Sequence, residues 1–211
     1  AAVNVPQFHP PQENLIDYVS GRVGNGWELV IDTHLSLCAE CRAEVIRLKA
    51  LGGALLEKLP SEDLPDGMEE RILDLLDSAE ITTFPGSKSE ILHEVPKPVV
   101  AFLPSNHEEI EWYAHQGEEE LSSYDLELDV VKHVSSIRLF LLRISAGERA
   151  FAGTTEYHSG QLLVLSGGLE SEQERLSAGD LKPLCDLSLD FNAVGTAAIT
   201  FCLLLLTRED N

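Results

Sequence analysis

Apolar residues recur every three to four positions through the first part of the chain, a spacing that predicts α-helices. Four segments carry this pattern: 12–20, 27–37, 39–58 and 65–79. Pro60 separates the third segment from the fourth, and Asp66 and Glu69 at the start of the fourth have the spacing of a capping box. Residues 1–80 are therefore predicted to form a four-helix module.

The pattern changes after residue 80. Residues 81–98 contain Thr, Pro, Gly, Ser and Lys without a helical period, and we interpret them as a linker. Beyond the linker the apolar period shortens to about 2, which is typical of β-strands. Six short runs have this character: 99–103, 110–113, 124–131, 137–144, 161–165 and 197–206. Short strands separated by turns indicate a sandwich or barrel, so the predicted fold class is α plus all-β, with the β domain over residues 99–211.

A His-x3-Cys-x2-Cys motif, made by His34, Cys38 and Cys41, lies where the second and third helices meet. On a helix His34 and Cys38 share one face, and Cys41 follows after a tight turn. Zinc prefers four nitrogen or sulfur ligands in a tetrahedron, so a fourth donor is required. His9, upstream in a proline-containing segment, is the best candidate. We predict one Zn²⁺ ion bound by these four side chains.

The Cys-x-x-Cys pair has a second interpretation, as a redox-active dithiol. A pair of that kind is expected where a strand leads into a helix. Here both flanks are predicted to be helical, which favours zinc. A zinc site would also join three short helices that bury too little surface to be stable alone.

Charge and composition narrow the class of partner. The net charge of −21 argues against direct contact with nucleic acid, because phosphates attract Lys and Arg, and it favours a basic protein partner. The longest apolar run, residues 199–206, is too short to span a membrane. Four cysteines do not make a disulfide scaffold in 211 residues, and the first residues do not resemble a signal peptide. We therefore expect a protein of the reducing cytoplasm.

The fourth helix is strongly amphipathic. Its apolar side includes Leu64, Met68, Ile72 and Leu75, and acidic residues occupy the opposite side. Such a helix can pack back on its own domain. Flexible connections on both sides favour the alternative, in which the apolar side lies in the groove of a partner.

The arrangement of an upstream His, a His-x3-Cys-x2-Cys helix junction and a detached amphipathic helix resembles the zinc-binding anti-sigma domain. The phrase Ala50-Leu51-Gly52-Gly53-Ala54-Leu55-Leu56-Glu57, followed by a β domain, resembles the ChrR group of these proteins from end to end. This resemblance implies a cytoplasmic inhibitor that binds an extracytoplasmic-function sigma factor. It also implies release of the sigma factor under oxidative stress, with singlet oxygen or organic peroxides as the signal.

The same resemblance implies a cupin fold for the C-terminal domain. Residues 141–147, 163–167 and 177–181 match cupin strands and turns. The positions where cupins carry their three His and one Glu metal ligands fall on Thr154, Glu156, Gly160 and Asp190. Two carboxylates can hold an ion weakly, but we expect no second metal in this domain, because carboxylates bind zinc or iron poorly compared with imidazole.

Three functions are compatible with these sequence patterns. The leading one is a non-enzymatic anti-sigma factor. The alternatives are a cupin-fold enzyme with a helical zinc-binding appendage, and a ligand sensor whose β domain binds a small molecule without turnover.

Overall fold

The computed structural model describes residues 5–61, 65–78, 94–103, 110, 112–115, 118–125, 137–150, 159–185, 191–195 and 198–207. Its helices are α1 (Gln12–Val19), α2 (Asn25–Leu37), α3 (Ala39–Leu56), α4 (Met68–Ser78) and α5 (Lys97–Val100). The first four match the four helices predicted from periodicity. None of the helices in the described ranges is both long enough and apolar enough to cross a bilayer.

Helices α1, α2 and α3 pack around a small core of their own. Leu15 of α1, Ile31 and Leu35 of α2 and Val45 of α3 are all buried in it. The thiols of the helix junction belong to the same core. A metal centre at this junction would therefore lie inside the helical module, in contact with all three helices.

The β domain contains strands β1 (Tyr113–His115), β2 (Glu118–Asp125), β3 (Ile137–Ser145), β4 (Arg149–Ala150), β5 (Ser159–Ser166), β6 (Gly168–Glu170), β7 (Arg175–Ser177), β8 (Leu181–Cys185), β9 (Phe191–Ala193) and β10 (Ile199–Thr207). In the described residues they form two antiparallel sheets, ordered β1-β2-β3-β10-β5-β8 and β4-β9-β6-β7. If β3 is counted as strand 1 and β10 as strand 8, the larger sheet contains strands 1, 8, 3 and 6 in that order. The smaller sheet then contains strands 2, 7, 4 and 5. This is the order of a jelly roll, the fold that cupins share, so the predicted fold class is confirmed.

The larger sheet is buried on both faces. Leu142, Val164 and Leu204 point toward the smaller sheet and form the jelly-roll core. On the other face, Leu203 and its neighbours pack against Leu29 of α2. A strand covered on both sides is apolar at nearly every position, which explains the apolar run of residues 201–206 in β10.

The prediction of a strand over residues 99–103 is wrong. Residues 97–100 form α5, and Val99 and Leu103, one helical turn apart, are both buried against α2 and the larger sheet. Pro96 precedes the helix and Pro98 lies in its first turn, where a missing N–H costs nothing. Val95, at the end of the predicted linker, is also buried, whereas residues 81–93 lie outside the described ranges.

The first two strands also differ from their predicted positions. The runs 110–113 and 124–131 overlap β1 and β2 only at their edges, and residues 111 and 126–131 lie outside the described ranges. By contrast, β3, β5 and β10 agree with their predicted runs to within about two residues, the usual uncertainty of an element end. The difference lies in composition, because the three central strands carry the longest apolar stretches among the described strands, residues 139–142, 162–165 and 201–206.

Candidate metal centre

The structure brings together the four side chains predicted to bind zinc. His9 lies in the extended segment before α1, His34 in the last turn of α2, Cys38 at the junction and Cys41 in the first turn of α3. One ligand atom from each lies within 4.8 Å of the other three. Within the described part of the chain, this is the one group of three or more His, Cys, Asp or Glu side chains arranged to hold a metal.

The α2–α3 junction explains how the two thiols reach the same point. Cys38 adopts extended backbone angles, φ −110° and ψ 110°, and so ends α2 and caps α3. Its Sγ atom accepts the backbone N–H of Cys41 at 3.4 Å. This hydrogen bond caps the first turn of α3 and holds the Cys38 sulfur beside Cys41.

His9 faces both thiols through one ring nitrogen. Its Nδ1 atom lies 3.5 Å from the Sγ of Cys38 and 3.4 Å from the Sγ of Cys41. In a tetrahedral zinc site with ordinary bond lengths, a sulfur and a nitrogen ligand are about 3.5 Å apart. The other ring nitrogen of His9, Nε2, points toward the carboxylate of Glu40 at 3.9 Å.

His34 is held in the tautomer that a metal ligand needs. Its Nδ1 atom lies 2.8 Å from the carbonyl oxygen of Gly179, and because a carbonyl only accepts, Nδ1 must carry the hydrogen. Nε2 then has a free lone pair, and it is buried without a hydrogen-bond partner among the described residues. Burial lowers the pKa of His34 to about 4, so the imidazole is neutral at pH 7. A buried, unpartnered nitrogen beside two thiols fits a metal site.

The surroundings of Cys41 keep its thiol protonated. Burial, followed by the neighbouring Cys38, raises its pKa to about 12. Metals bind the thiolate, so metal binding must displace a proton from this site. Four protein ligands also leave no open position, which is typical of structural rather than catalytic zinc. A cleft lined by Glu40, Glu44 and Arg47 reaches the centre from the surface.

The predicted partner-binding side of α4 is exposed. Met68 and Ile72 are 40% and 44% exposed, and Leu75 and Leu76 are more exposed still. In the described structure α4 makes no extensive packing with another helix or strand. Leu64 lies outside the described residues. An apolar side that its own domain leaves exposed is available to a partner.

Most of the positions aligned with cupin metal ligands are not described by the structure. Thr154, Glu156 and Asp190 lie outside the described ranges. Gly160 lies in β5, opposite Leu184 of β8. The expectation of no second metal therefore stays a prediction.

The β domain contributes a part of the site that the sequence pattern does not reveal. Gly179 and Asp180 form the turn between β7 and β8, and sequence analysis identified them only as a cupin-like turn. Asp180 is 1% exposed and accepts the backbone N–H groups of Gln7 and Phe8, next to His9. No spacing or periodicity relates positions so far apart in the chain.

No protein-family model matches the chain. Over 205 residues the chain is 26% identical to the anti-sigma-E factor ChrR of Cereibacter sphaeroides, a match that covers 96% of this chain and 90% of ChrR. The resemblance to ChrR-type anti-sigma factors is confirmed.

The likeness to ChrR extends to the three-dimensional fold. The crystal structure of Rhodobacter sphaeroides SigE in complex with the anti-sigma ChrR matches with a TM-score of 0.72 and 23% identity, covering 96% of this chain and 100% of the matched chain. KdgF from Halomonas sp. matches about half of this chain (50%) and 92% of its own, with a TM-score of 0.36 and 20% identity. That second likeness is too low to carry an inference about function. The match to ChrR, in contrast, includes both the helical module and the jelly roll.

Proposed function

We propose that this chain is a zinc-binding anti-sigma factor that sequesters an extracytoplasmic-function sigma factor in the cytoplasm. The observation that carries the proposal is the similarity to ChrR along 96% of the chain, combined with the fold of a ChrR chain whose crystal structure is a complex with SigE. A bound sigma factor cannot engage RNA polymerase, so transcription from its promoters stops. The signal that ends this inhibition is oxidative stress, of the singlet oxygen or organic peroxide type.

The exposed side of α4 supports this function. Met68, Ile72 and Leu76 are exposed along one helix, and burying each against a groove contributes about 1.5–3 kcal/mol before ordering costs. Glu69 and Glu70 occupy the first turn of the same helix. Together with the net charge of −21, they favour a basic partner such as the DNA-binding surface of a sigma factor.

Zinc has a structural role in this proposal. The ion binds ligands that precede α1, end α2 and begin α3, and structural zinc of this kind contributes about 10 kcal/mol or more to folding. Oxidants attack thiolates, and Cys38 and Cys41 supply two to the metal. Their oxidation would release the zinc and loosen the module that holds the sigma factor.

The test is a binding and transcription assay with the full-length zinc-loaded chain. An extracytoplasmic-function sigma factor from the same organism should form a one-to-one complex with it, and transcription by RNA polymerase carrying that sigma factor should fall as the chain is added. The housekeeping sigma factor serves as the control, and its transcription should not change. If no such sigma factor binds at micromolar concentration, the proposal is wrong and a cupin-fold enzyme or ligand sensor becomes the better interpretation.

A further inference from the structure

The turn between β7 and β8 contacts the segments that carry both histidine ligands. The carbonyl oxygen of Gly179 accepts the Nδ1–H of His34 at 2.8 Å. The carboxylate of the next residue, Asp180, accepts the backbone N–H groups of Gln7 at 2.5 Å and Phe8 at 3.0 Å. Two adjacent residues of the jelly roll therefore contact the segments of both histidines. Gly179 binds His34 directly, and Asp180 binds the segment that precedes His9.

Asp180 is arranged to hold this segment firmly. Its second oxygen, Oδ2, accepts the backbone N–H of Ser177 at 2.7 Å and the Ser177 hydroxyl at 3.0 Å. The carboxylate thus receives four hydrogen bonds while almost completely buried. A buried carboxylate requires such donors, and here two of the four come from the residues that lead into His9.

The remaining contacts of the turn dock the same segment. The backbone N–H of Leu181 donates to the carbonyl of Phe8 at 3.0 Å, and the Lys182 ammonium lies 5.1 Å from the centre of the Phe8 ring. Gly179 has a positive φ of 94°, and a Cβ atom added to it would lie 2.5 Å from Cγ of Pro6. Only glycine permits so close an approach of the two domains.

We propose that the β7–β8 turn is the outer shell of the metal centre, with Gly179 and Asp180 as positioning residues for its two histidine ligands. Outer-shell partners fix the tautomer and orientation of a histidine ligand, and so raise the affinity of the site for its metal. The inference rests on the zinc centre of the proposed function. It adds that the site is complete only when the jelly roll is docked on the helical module.

Metal binding and domain docking are therefore coupled. If docking raises the affinity for zinc by some factor, zinc strengthens docking by the same factor, because the two equilibria are linked. An event in the jelly roll that displaces the turn would weaken zinc binding. Loss of zinc would in turn release the jelly roll from the module that carries α4.

Zinc affinity in two variants of the turn tests the proposal. Competition with the chromogenic chelator 4-(2-pyridylazo)resorcinol measures the affinity of the full chain for zinc. Asp180→Asn should raise the Kd by about 10–100-fold, the usual effect of losing an outer-shell partner. The control is Thr200→Val, which removes buried hydrogen bonds to Gly168 elsewhere in the jelly roll and should leave the Kd within about twofold.

A matched glycine pair removes the ambiguity of a folding defect. Gly179 and Gly147 both have positive φ, but a Cβ atom at Gly147 meets nothing within 4 Å. Gly179→Ala should weaken zinc binding, and Gly147→Ala, with a similar backbone strain, should not. In the Co²⁺-loaded variants the near-ultraviolet spectrum should retain its thiolate-to-metal charge-transfer bands, because Cys38 and Cys41 are unchanged. Loss of those bands would mean that the ligand set itself is disrupted and would contradict a positioning role.

Hydrogen exchange in the wild-type chain gives a third measurement. Removal of zinc with EDTA should increase exchange at the N–H groups of Phe8 and Leu181, which form hydrogen bonds across the two domains. The control is the N–H of Ala193, which donates to Glu148 within the jelly roll and should stay protected. If the wild type binds zinc, while both turn variants bind it as tightly and exchange does not change, the inference is overturned and the metal centre stands. If the wild type binds neither zinc nor cobalt, the proposed centre is wrong as well.

Discussion

The Nδ1 atom of His34, in the last turn of α2, lies 2.8 Å from the carbonyl oxygen of Gly179, in a turn of the jelly roll. This contact crosses from one domain to the other and fixes the protonation of a buried imidazole. Because Nδ1 carries the hydrogen, the lone pair of Nε2 is left to bind a metal beside the two thiols. This hydrogen bond therefore connects the helical module and its candidate metal centre directly to the β domain.

The first prediction concerns the metal content of the full chain. The protein purified with zinc available under reducing conditions should contain one zinc per chain, and the double variant Cys38→Ser/Cys41→Ser should contain almost none. The physical reason is the loss of both thiolates from a four-ligand site. Elemental analysis measures the content, and Cys202→Ala, far from the site in β10, is the control that should keep its zinc. Stoichiometric metal in the double variant would show that Cys38 and Cys41 are not required ligands.

The second prediction concerns thiol reactivity. Cys202 is completely buried, and burial raises the pKa of its thiol, so iodoacetamide should not modify it in the folded protein. Cys38 and Cys41 should be protected while zinc is bound and alkylated several-fold faster after chelation. Mass spectrometry of the alkylated peptides with and without EDTA measures both effects. Equal rates at Cys38 and Cys41 in the two conditions would show that no metal binds these thiols.

The third prediction concerns the apolar side of α4. Ile72→Asp should weaken binding of the sigma factor by at least about 2 kcal/mol, about thirtyfold in Kd, because an apolar contact is lost and a charge is buried in its place. Titration calorimetry with the full chain measures the change. Zinc content should be unaffected, since Ile72 does not contact the metal centre. If the variant binds as tightly as wild type, the partner surface lies elsewhere on the chain.

The fourth prediction separates charge from apolar contact on the same helix. Asp77→Lys should chiefly slow association with a basic partner and reduce the dependence of the association rate on salt, because charges at the rim of an interface steer encounter. Stopped-flow binding at two ionic strengths measures the rate. A large increase in the dissociation rate would instead place Asp77 inside the interface.

The fifth prediction concerns Tyr18 of α1, whose hydroxyl donates to the carboxylate of Asp32 in α2. Tyr18→Phe should lower the free energy of unfolding of the helical module by about 1–2 kcal/mol. Burial, followed by the hydrogen bond to Asp32, raises the pKa of Tyr18 above its usual range. A raised pKa stabilises the folded state fully below the unfolded value of about 10, and this stabilisation is lost as pH rises beyond it.

Urea unfolding of wild type and Tyr18→Phe at two pH values checks this sign. The difference between them, followed by helical circular dichroism, should be larger at pH 8 than at pH 10.5. A difference that grows with pH would mean that the ionised hydroxyl, rather than the neutral one, is preferred in the folded state.

The sequence determined the features that depend on neighbouring residues. His34, Cys38 and Cys41 are close in the chain, and two helices joined by a tight turn are enough to place them at one point. The amphipathic pattern of α4 and the apolar runs of β3, β5 and β10 are local in the same sense. Such patterns repeat with the period of the element, so they are visible without knowledge of the fold.

Tertiary structure decided the features that depend on distant residues. The apolar run of residues 99–103 is equally compatible with a strand, and its packing against α2 makes it helical in part and then a turn. Asp180 reaches Phe8 across a separation of 172 positions, and Gly179 reaches His34 across 145. No local rule connects such residues, because their distance is set by the jelly-roll topology and by how the sheet docks on the helices. The tautomer of His34, a predicted metal ligand, is therefore decided by a turn of the other domain.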